Sequence, residues 1–331
     1  MKYRKLGKTN LLVSEIGFGS WAIGGPVMAG DVPIGWGQVD DEISKKAILK
    51  AAELGVNFFD TADFYGFGHS EELFGNVFGG KWNELLLATK VGNTLSDTGS
   101  ASSNYSKQYI LTACEKSLKR LKKDVIDVYQ LHSARIQHLE QGECIEAMEQ
   151  LQKEGKIRYW GISLNTFEPQ KEAIFFIEHK IGYTFQIAFS IINQIALEEV
   201  IPLAVENEYG IIARVPLHFG LLTGKFSREK VFALNDHRSK RLNPELLNLS
   251  LDRLEKVFEL ADARGIEPID FAMSFILSQK GISTVIPGIR TEQQAAANVK
   301  EFAPLSIKDV DFLHSFYLSD LKQLMEAYKK G

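Results

Sequence analysis

The sequence predicts a single (β/α)8 TIM barrel that occupies residues 1–331 as one domain. Eight short apolar segments alternate with longer segments of helical periodicity, which is typical of a parallel sheet covered by helices. The length of 331 residues accommodates one barrel with additions, although it would also fit two average domains. No shift in composition and no linker rich in Pro or Ser divides the chain, which favours the single domain.

The eight predicted strands are mostly apolar and do not alternate with polar residues, as expected of strands buried on both faces of a parallel sheet. They are EIGFGS (15–20), NFFDTA (57–62), ELLLATKV (84–91), VIDVYQLH (125–132), IRYWGIS (157–163), TFQIAFS (184–190), GIIARVPL (210–217) and STVIPGI (283–289). Amphipathic helices are predicted between them, for example over 41–54, 106–121, 143–154 and 198–208.

Four segments are predicted outside the repeating units. They are an N-terminal β-hairpin within 1–14, a long loop at 226–243, an added helix at 244–265 and a helix in the C-terminal tail. Helix ends also have recognisable signals. Ser70 and Thr291 are predicted N-caps, and Gly55, Gly155 and Gly210 are predicted C-cap glycines.

An open, doubly wound sheet is the alternative architecture for this alternation. Such sheets usually carry a G-x-G-x-x-G turn between their first strand and the helix that follows directly. Here GFGSWAIGG follows the first strand, but helical periodicity resumes only near Asp41. The glycines therefore fit a long loop at least as well as a dinucleotide turn, and the barrel remains the prediction.

Composition excludes several classes of function. The net charge of −4 gives no electrostatic reason to expect nucleic acid or an anionic membrane as a partner. The seven histidines are not clustered at metal-ligand spacing, so no metal is expected. No signal-peptide core and no apolar run of about 18 residues occurs, and Cys114 and Cys144 are predicted to be reduced thiols. We expect a cytoplasmic protein, whose oligomeric state the sequence does not indicate.

Polar side chains stand at the carboxyl ends of several predicted strands, where the active site of a barrel lies. Asp60 ends the second strand, Lys90 the third and His132 the fourth, while Tyr65 follows in the second loop. Asp60 and Lys90 come from neighbouring strands about 5 Å apart, and both follow apolar runs. Because a buried charge without a partner is very unfavourable, these two are expected to pair. Further candidates at strands 5 and 6 are Ser163, Gln186 and Ser190.

These residue types suit the reduction of a carbonyl group. A phenol has a pKa near 10, and a neighbouring ammonium is expected to lower it. Tyr65 would then donate a proton to a carbonyl oxygen, with His132 polarising the same oxygen and Asp60 orienting Lys90. Each of these residues taken alone is more often structural than catalytic. Their convergence on one rim is what favours catalysis, with the hydride coming from a cofactor.

Motifs along nearly the whole chain resemble the aldo-keto reductase family. They include KLGKTNLLVSEIGFGSWAIGG, DTADFYGFGHSEELFG, SLKRLKKDVIDVYQLH, EGKIRYWGIS, PLHFGLLTGKF and VIPGIRTEQQAAANV. The resemblance implies a (β/α)8 barrel that binds NADP(H), or less often NAD(H), and reduces aldehydes and ketones. It places the family's tetrad on Asp60, Tyr65, Lys90 and His132. The bacterial branches that include general-stress and inositol-operon reductases are the most similar.

The resemblance also implies positions around the nicotinamide. Ser20 and Trp21 correspond to residues near its ribose and the substrate mouth, and Ser163 and Gln186 to those that hold the carboxamide. The family often has Asn directly after that serine, whereas here Leu164 intervenes before Asn165. Arg214 occupies a place where an aromatic ring often stacks on nicotinamide. Its guanidinium either stacks there, which would favour the reduced and uncharged ring, or turns aside to an acid.

The rest of the cofactor is expected over the loops after strands 7 and 8. The pyrophosphate segment corresponds to 217–225, with candidate contacts at Leu217, Gly220, Leu222, Gly224 and Lys225. The adenosine end corresponds to Gly288, Arg290, Gln294 and Asn298. Arg290 could bind a 2′-phosphate, so a preference for NADPH is expected. Ala297 replaces an acid that often contacts adenine, so that contact is expected to be missing.

Two other functions remain open at this point. A nucleotide-sensing regulatory module, like the potassium-channel β subunits, would bind the cofactor with little turnover. An unrelated phosphate-binding barrel, such as an isomerase, would leave Tyr65, Lys90 and the phosphate segment as coincidences. The expected partner is a small carbonyl compound or sugar in a pocket lined by Trp21 and by loops at 92–105, 133–138 and 235–238.

Overall fold

A barrel of eight parallel strands forms the body of the protein, and it confirms the predicted fold class. The computed structural model describes residues 1–83 and 85–330. The strands are Phe18–Gly19, Phe58–Asp60, Leu86–Val91, Ile126–His132, Ile157–Ser163, Thr184–Ala188, Gly210–Arg214 and Ile282–Ile286. Each pairs with the next in chain order, and bridges from Ile16 to Val285 and from Gly19 to Gly288 close the first strand onto the last. Positions 84 and 331, in the predicted third strand and at the chain end, lie outside the described residues.

The N-terminal hairpin closes the bottom of the barrel, as predicted. Its strands Tyr3–Lys5 and Leu12–Ser14 pair antiparallel. Leu6 and Val13 of this hairpin are fully buried in a small core with Phe58 and Val128 of the barrel strands. A fully buried side chain of this kind stabilises the fold by about 1.5–3 kcal/mol. The larger core lies between the outer face of the strands and the helices.

Helices surround the barrel between successive strands. The barrel helices are Asp41–Glu53, His69–Phe78, Lys107–Leu121, Glu143–Lys153, Gln170–Glu178, Val200–Glu206, Pro268–Leu277 and Glu292–Asn298. Additional helices are Ile136–Gln141, Arg238–Arg241 and Pro244–Ala263, the last being the predicted added helix. The C-terminal tail holds Ile307–Phe316 and Lys322–Lys330, joined through a π-helical turn at Tyr317–Leu321. None of the described helices combines the length and the hydrophobicity that a membrane span requires.

Three of the five predicted caps are confirmed. Thr291 accepts a bond from the backbone N–H of Gln294, and Gly55 and Gly155 follow their helices with φ of 94° and 74°. The predictions for Ser70 and Gly210 are wrong. Gly68 is the N-cap instead, and the Ser70 hydroxyl donates to the Ser20 hydroxyl at 2.7 Å.

Gly210 begins the seventh barrel strand rather than ending a helix. Glu208 takes the left-handed conformation there with φ of 57°, which a sequence pattern would assign to glycine. The reason for glycine at 210 is space, because a Cβ on it would come within 2.7 Å of the Leu6 side chain.

Two insertions meet across the mouth of the barrel. A small hairpin, Met28–Ala29 with Val32–Pro33, follows the first strand, and the predicted loop at 226–243 follows the seventh. Trp36 and Asp236 form an antiparallel bridge, and the backbone N–H of His237 donates to the Gly35 carbonyl at 2.8 Å. The loop is therefore docked and includes a short helix, and it defines one wall of the space above the strands.

Candidate active site

A cavity of about 720 Å³ opens at the carboxyl ends of the barrel strands. Its volume lies within the range usual for small-molecule and cofactor sites. Asp60, Tyr65 and His132 line one end of it, and Arg290 and Asn298 line the other. The segment that follows the seventh strand connects these two ends. The cavity is thus elongated and passes over strand ends that the sequence predicted to carry the site.

Lys90 and Asp60 form the buried ion pair that the sequence predicts. The Lys90 side chain is fully buried, and its Nζ donates to Asp60 Oδ2 at 2.7 Å and to the Thr61 carbonyl at 2.7 Å. The amide of Gln186 donates to the other carboxylate oxygen of Asp60, also at 2.7 Å. Burial acts to lower the pKa of Lys90, but Asp60 and Tyr65 outweigh it and the pKa is raised. The ammonium therefore stays charged.

Tyr65 lies within reach of that ammonium. Lys90 Nζ donates to the Tyr65 hydroxyl oxygen at 3.3 Å. The expected lowering of the Tyr65 pKa is nevertheless wrong for the free protein. Burial raises the pKa of Tyr65, the nearby Asp60 carboxylate adds to the rise, and the Lys90 charge opposes it only partly. Tyr65 is therefore a protonated phenol at neutral pH, which is the form that a proton donor needs.

His132 completes the group at this end. Its ring lies edge-on to the Tyr65 ring, with 5.9 Å between centroids. Burial, together with the charges of Lys90 and Arg214, holds the pKa of His132 well below its usual range. The imidazole is therefore neutral, and within the described residues its buried Nδ1 has no hydrogen-bond partner. A neutral imidazole of this kind can donate one hydrogen bond to a carbonyl oxygen.

Ser163 and Gln186 lie side by side in the cavity, as predicted, with the Ser163 hydroxyl donating to Gln186 Oε1 at 3.3 Å. Ser20 and Trp21 also line it. Asn165 does not. Its carboxamide oxygen accepts the backbone N–H groups of Phe167 and Glu168, both at 3.0 Å, and so closes a local turn.

Thr166 lines the cavity near that turn, although the sequence did not single it out. The extra residue at 164 is the physical reason. Leu164 is fully buried, so the chain has to pass one more position before a polar side chain faces the cavity again.

Arg214 lines the cavity at the end of the seventh strand and is not paired with an acid. One guanidinium nitrogen donates to the Leu164 carbonyl at 3.0 Å and to the Thr166 hydroxyl at 3.1 Å. Within residues 1–83 and 85–330 no carboxylate forms a salt bridge with it, so the alternative of a turn toward an acid is wrong. A cation thus faces the same end of the cavity as Tyr65 and His132.

The segment at 217–225, which is predicted to bind the pyrophosphate, and the residues just before it contain a run of unusual backbone dihedrals. Val215, His218, Phe219 and Gly220 all have positive φ, between 42° and 100°. Such dihedrals occur in backbone anion sites, but the N–H groups of His218 and Gly220 already donate to the Val215 and Leu217 carbonyls in this structure. Leu217, Gly220 and Lys225 line the cavity as predicted.

Two predicted contacts in this segment have other surroundings. Leu222 is buried in the core, and Gly224 takes a φ of 69° beside Pro268. Neither lines the cavity, because Leu221 and Leu222 both turn into the core and Gly224 packs against Pro268.

The far end of the cavity holds all four residues predicted for the adenosine. Gly288, Arg290, Gln294 and Asn298 line it together with Ala297. The backbone N–H of Arg290 donates to Gln294 Oε1 at 2.8 Å, and its guanidinium donates to the Gln38 carbonyl. The guanidinium forms no salt bridge in the described part of the chain, so it is available to an anion.

Several lining residues were not predicted. Ile34, Trp36, Phe64, Phe219 and Arg241 face the cavity from loops far apart in the sequence. The Trp21 ring stacks on His237 at 4.4 Å, and Trp36 meets the same imidazole edge-on at 4.6 Å. The signal available in the sequence was the aromatic content of 21–36 and the basic cluster DHRSKR at 236–241.

The residues fit a phosphorylated dinucleotide better than they fit a metal. Cations without a salt bridge among the described residues line the cavity along its length: Arg214, Lys225, Arg241 and Arg290. Asp60 is the acid that lines it, and Lys90 already neutralises it. Among the described residues, no cluster of His, Cys, Asp or Glu could hold a metal ion.

Comparison with known proteins agrees with this geometry. A family model described as the Aldo/keto reductase family matches residues 15–317. The Bacillus subtilis aldo-keto reductase YhdN is 32% identical over 90% of this chain and 87% of its own length. The uncharacterized oxidoreductase YqkF of the same organism is 32% identical over 91% and 90%. The holo form of aldo-keto reductase AKR11C1 from Bacillus halodurans superposes with a TM-score of 0.77 at 28% identity, covering 96% of both chains.

Proposed function

The chain belongs to the aldo/keto reductase family, and on that premise we propose that it is an NADPH-dependent oxidoreductase that reduces an aldehyde or ketone to the alcohol, with Tyr65 as the general acid. The observation that carries this proposal is the hydrogen-bonded chain from Asp60 through Lys90 to the Tyr65 hydroxyl at the end of a cation-lined cavity. Proton donation next to a bound carbonyl is the chemistry that this arrangement suits.

The protein's own groups account for the proton and the charge. A bound reduced nicotinamide would supply the hydride, with its two electrons, to the carbonyl carbon. Tyr65 gives its proton to the carbonyl oxygen, whose former π electrons form the new O–H bond. The phenolate left behind is stabilised by Lys90, 3.3 Å from it, until solvent returns a proton. His132, held neutral, donates a hydrogen bond that positions the carbonyl oxygen without competing for the proton.

The preference for NADPH rests on charge. A 2′-phosphate adds about two negative charges, and Arg290 stands at the cavity end that would receive it. Relatives differ on this point. Aldo-keto reductase yakc of Schizosaccharomyces pombe, 30% identical over 98% of this chain and 90% of its own, is named for NADP(+). The Escherichia coli NADH-specific methylglyoxal reductase is 29% identical over 94% and 96%. Arg290, which has no acid partner among the described residues, favours NADP(H) for this chain.

The substrate is proposed to be a small carbonyl compound or sugar. One relative, the Escherichia coli L-glyceraldehyde 3-phosphate reductase, is named for a phosphorylated substrate and is 29% identical over 91% of this chain and 87% of its own. Trp21, Trp36 and Phe64 give the outer cavity an aromatic lining, which suits a short carbonyl compound with an apolar face. The unpaired Cys114 and Cys144 fit a reducing compartment such as the cytoplasm.

A regulatory role with little turnover is the second candidate. A probable voltage-gated potassium channel subunit beta from Arabidopsis thaliana is 26% identical over 100% of this chain and 98% of its own. A sensor needs to bind nucleotide, but it has no need of an acid, a phenol, an ammonium and an imidazole at one rim. The presence of all four here favours the enzyme.

Repeated turnover distinguishes the two candidates. The protein is mixed with excess NADPH and 4-nitrobenzaldehyde, and the loss of NADPH absorbance is followed over many equivalents. We expect steady oxidation, with kcat in the usual enzymatic range of about 1–10³ s⁻¹ on a good substrate, and its loss in Tyr65→Phe. A single burst of one equivalent followed by a stall, repeated over a panel of carbonyl compounds, would reject the reductase and favour the sensor.

A further inference from the structure

Arg214 brings a positive charge to the reacting end of the cavity, and that charge has no carboxylate partner in the described ranges. Its guanidinium is held by two neutral oxygens, the Leu164 carbonyl at 3.0 Å and the Thr166 hydroxyl at 3.1 Å. Its Nε is buried and has no hydrogen-bond partner there. Neutral acceptors fix the group in place but leave its charge uncompensated.

The charge acts on the groups that would surround the reacting atoms. It contributes to the lowered pKa of His132 and opposes the raised pKa of Tyr65. The opposite charges of Asp60 and Lys90 cancel, because the two side chains form an ion pair. With His132 neutral, Arg214 therefore leaves this end of the cavity with a net charge of about +1 before any ligand enters.

We infer that Arg214 makes the site discriminate between the two oxidation states of its nicotinamide, binding the reduced form more tightly than the oxidised form. This inference rests on the proposed function, since it concerns the cofactor proposed there. The reduced ring is uncharged, whereas the oxidised ring carries one positive charge. Like charges brought close together in a partly desolvated site repel, and at the effective dielectric constant usual for protein sites this repulsion exceeds the energy of a tenfold change in affinity.

Such discrimination has a consequence for the reaction. The oxidised cofactor formed in each cycle would be repelled from the site, while the reduced cofactor would not. In many enzymes the release of a product, and not the chemical step, limits the rate. Arg214 is in this sense a specificity residue for the redox form: it would keep the site occupied by reduced cofactor when both forms are present, while the overall equilibrium of the reaction stays unchanged.

The test compares dissociation constants for NADPH and NADP⁺, measured separately by quenching of tryptophan fluorescence. Arg214→Gln removes the charge and keeps planar donors, while Arg214→Lys keeps the charge. We expect the ratio of the NADP⁺ constant to the NADPH constant to fall about tenfold or more in Arg214→Gln and to change less than about threefold in Arg214→Lys. A tenfold change in that ratio is about 30 mV in the midpoint potential of the bound two-electron couple.

Arg290→Gln is the matched control, because it removes a cavity cation at the opposite end. It should weaken both oxidation states equally and leave their ratio unchanged. A ratio in Arg214→Gln equal to that of the wild type, with apo thermal unfolding unchanged, would overturn the inference. If the wild type bound neither nucleotide, the proposed function itself would fail. If the ratio of the two dissociation constants fell equally in Arg214→Gln and Arg214→Lys, Arg214 would act through its shape and not its charge, and the inference would be overturned.

Discussion

Lys90→Met tests the ion pair on which the proposed site depends. Met keeps most of the apolar stem of Lys and removes the ammonium, so the change leaves Asp60 as a buried carboxylate without its cation. Breaking a buried pair by removing one partner costs about 3–5 kcal/mol of folding free energy. Asp60 keeps its bond from Gln186 at 2.7 Å and a weaker one from Gln130 at 3.4 Å. We therefore expect a loss near the lower limit, about 3 kcal/mol.

The double variant Asp60→Asn with Lys90→Met tests whether the unpaired Asp60 carboxylate causes the loss of stability. Removing both charges together takes away the uncompensated carboxylate, and replacing a whole buried pair by neutral groups is often close to neutral for stability. The double variant should therefore be about 2 kcal/mol more stable than Lys90→Met alone. Lys329→Met is the control, because its pair with Glu168 is 45% and 57% exposed and should be worth less than about 1 kcal/mol.

The assay is equilibrium unfolding in urea, followed by circular dichroism and by tryptophan fluorescence to check that both report one transition. Additive losses, with the double variant less stable than Lys90→Met, would refute the coupling between Asp60 and Lys90. A loss in Lys90→Met no larger than in Lys329→Met would show that the carboxylate is not effectively desolvated.

The dependence of stability on alkaline pH tests the same ion pair, and thermodynamic linkage defines the direction of the change. The folded-state pKa of Lys90 is raised above the ordinary value of 10.5. The stabilisation is therefore fully present below about pH 10.5 and is lost as the pH rises through the folded-state pKa. The difference in unfolding free energy between the wild type and Lys90→Met should be constant at neutral pH and should shrink above pH 10.5. A difference that grew with pH would contradict the assignment.

Three further predictions concern activity and cofactor binding. Tyr65→Phe should lower kcat for carbonyl reduction by about 10²–10⁴-fold while the NADPH dissociation constant changes less than about threefold; wild-type turnover in this variant would exclude Tyr65 as the proton donor. Because burial raises the pKa of Tyr65 above 10.0, kcat/KM for reduction should stay level through neutral pH and decline only at strongly alkaline pH; a decline centred near pH 7 would show that the phenol is not the titrating acid. Arg290→Ala should weaken NADPH by about 10–100-fold, the equivalent of a charge-assisted contact of about 1.5–3 kcal/mol, and spare NADH; equal weakening of both, measured by fluorescence titration, would count against the 2′-phosphate contact.

The amino-acid sequence was sufficient to predict the barrel and the pairing of Asp60 with Lys90. Both follow from local signals. Apolar runs of six to eight residues define strands buried on two faces, and a polar residue that ends such a run must face the mouth of a parallel barrel. Neighbouring strands then bring Asp60 and Lys90 within bonding distance whatever the loops do. The N-terminal hairpin and the N-cap at Thr291 were predictable for the same reason.

The direction of the Tyr65 pKa shift depended on the tertiary structure. The sequence indicated a nearby ammonium, which lowers the pKa, but it carried no measure of burial. Trp21 lies over the partly buried Tyr65 with 6.2 Å between ring centroids, and the resulting desolvation outweighs the charge of Lys90. Which of these two opposing effects on the pKa prevails depends on burial and distance, and only the tertiary structure provides those.

The surroundings of Arg214, Asn165 and Gly210 were also decided only in three dimensions. The two acceptors of Arg214 lie on a loop 48–50 residues earlier in the chain. Gly210 is required because Leu6, near the N-terminus, packs directly against it. Asn165 does not face the cavity because the buried Leu164 is inserted before it, and its side chain closes a local turn instead. Local patterns predict which segments form strands and helices, whereas the contacts between distant segments determine where each loop side chain points, since those contacts depend on packing that no single segment contains.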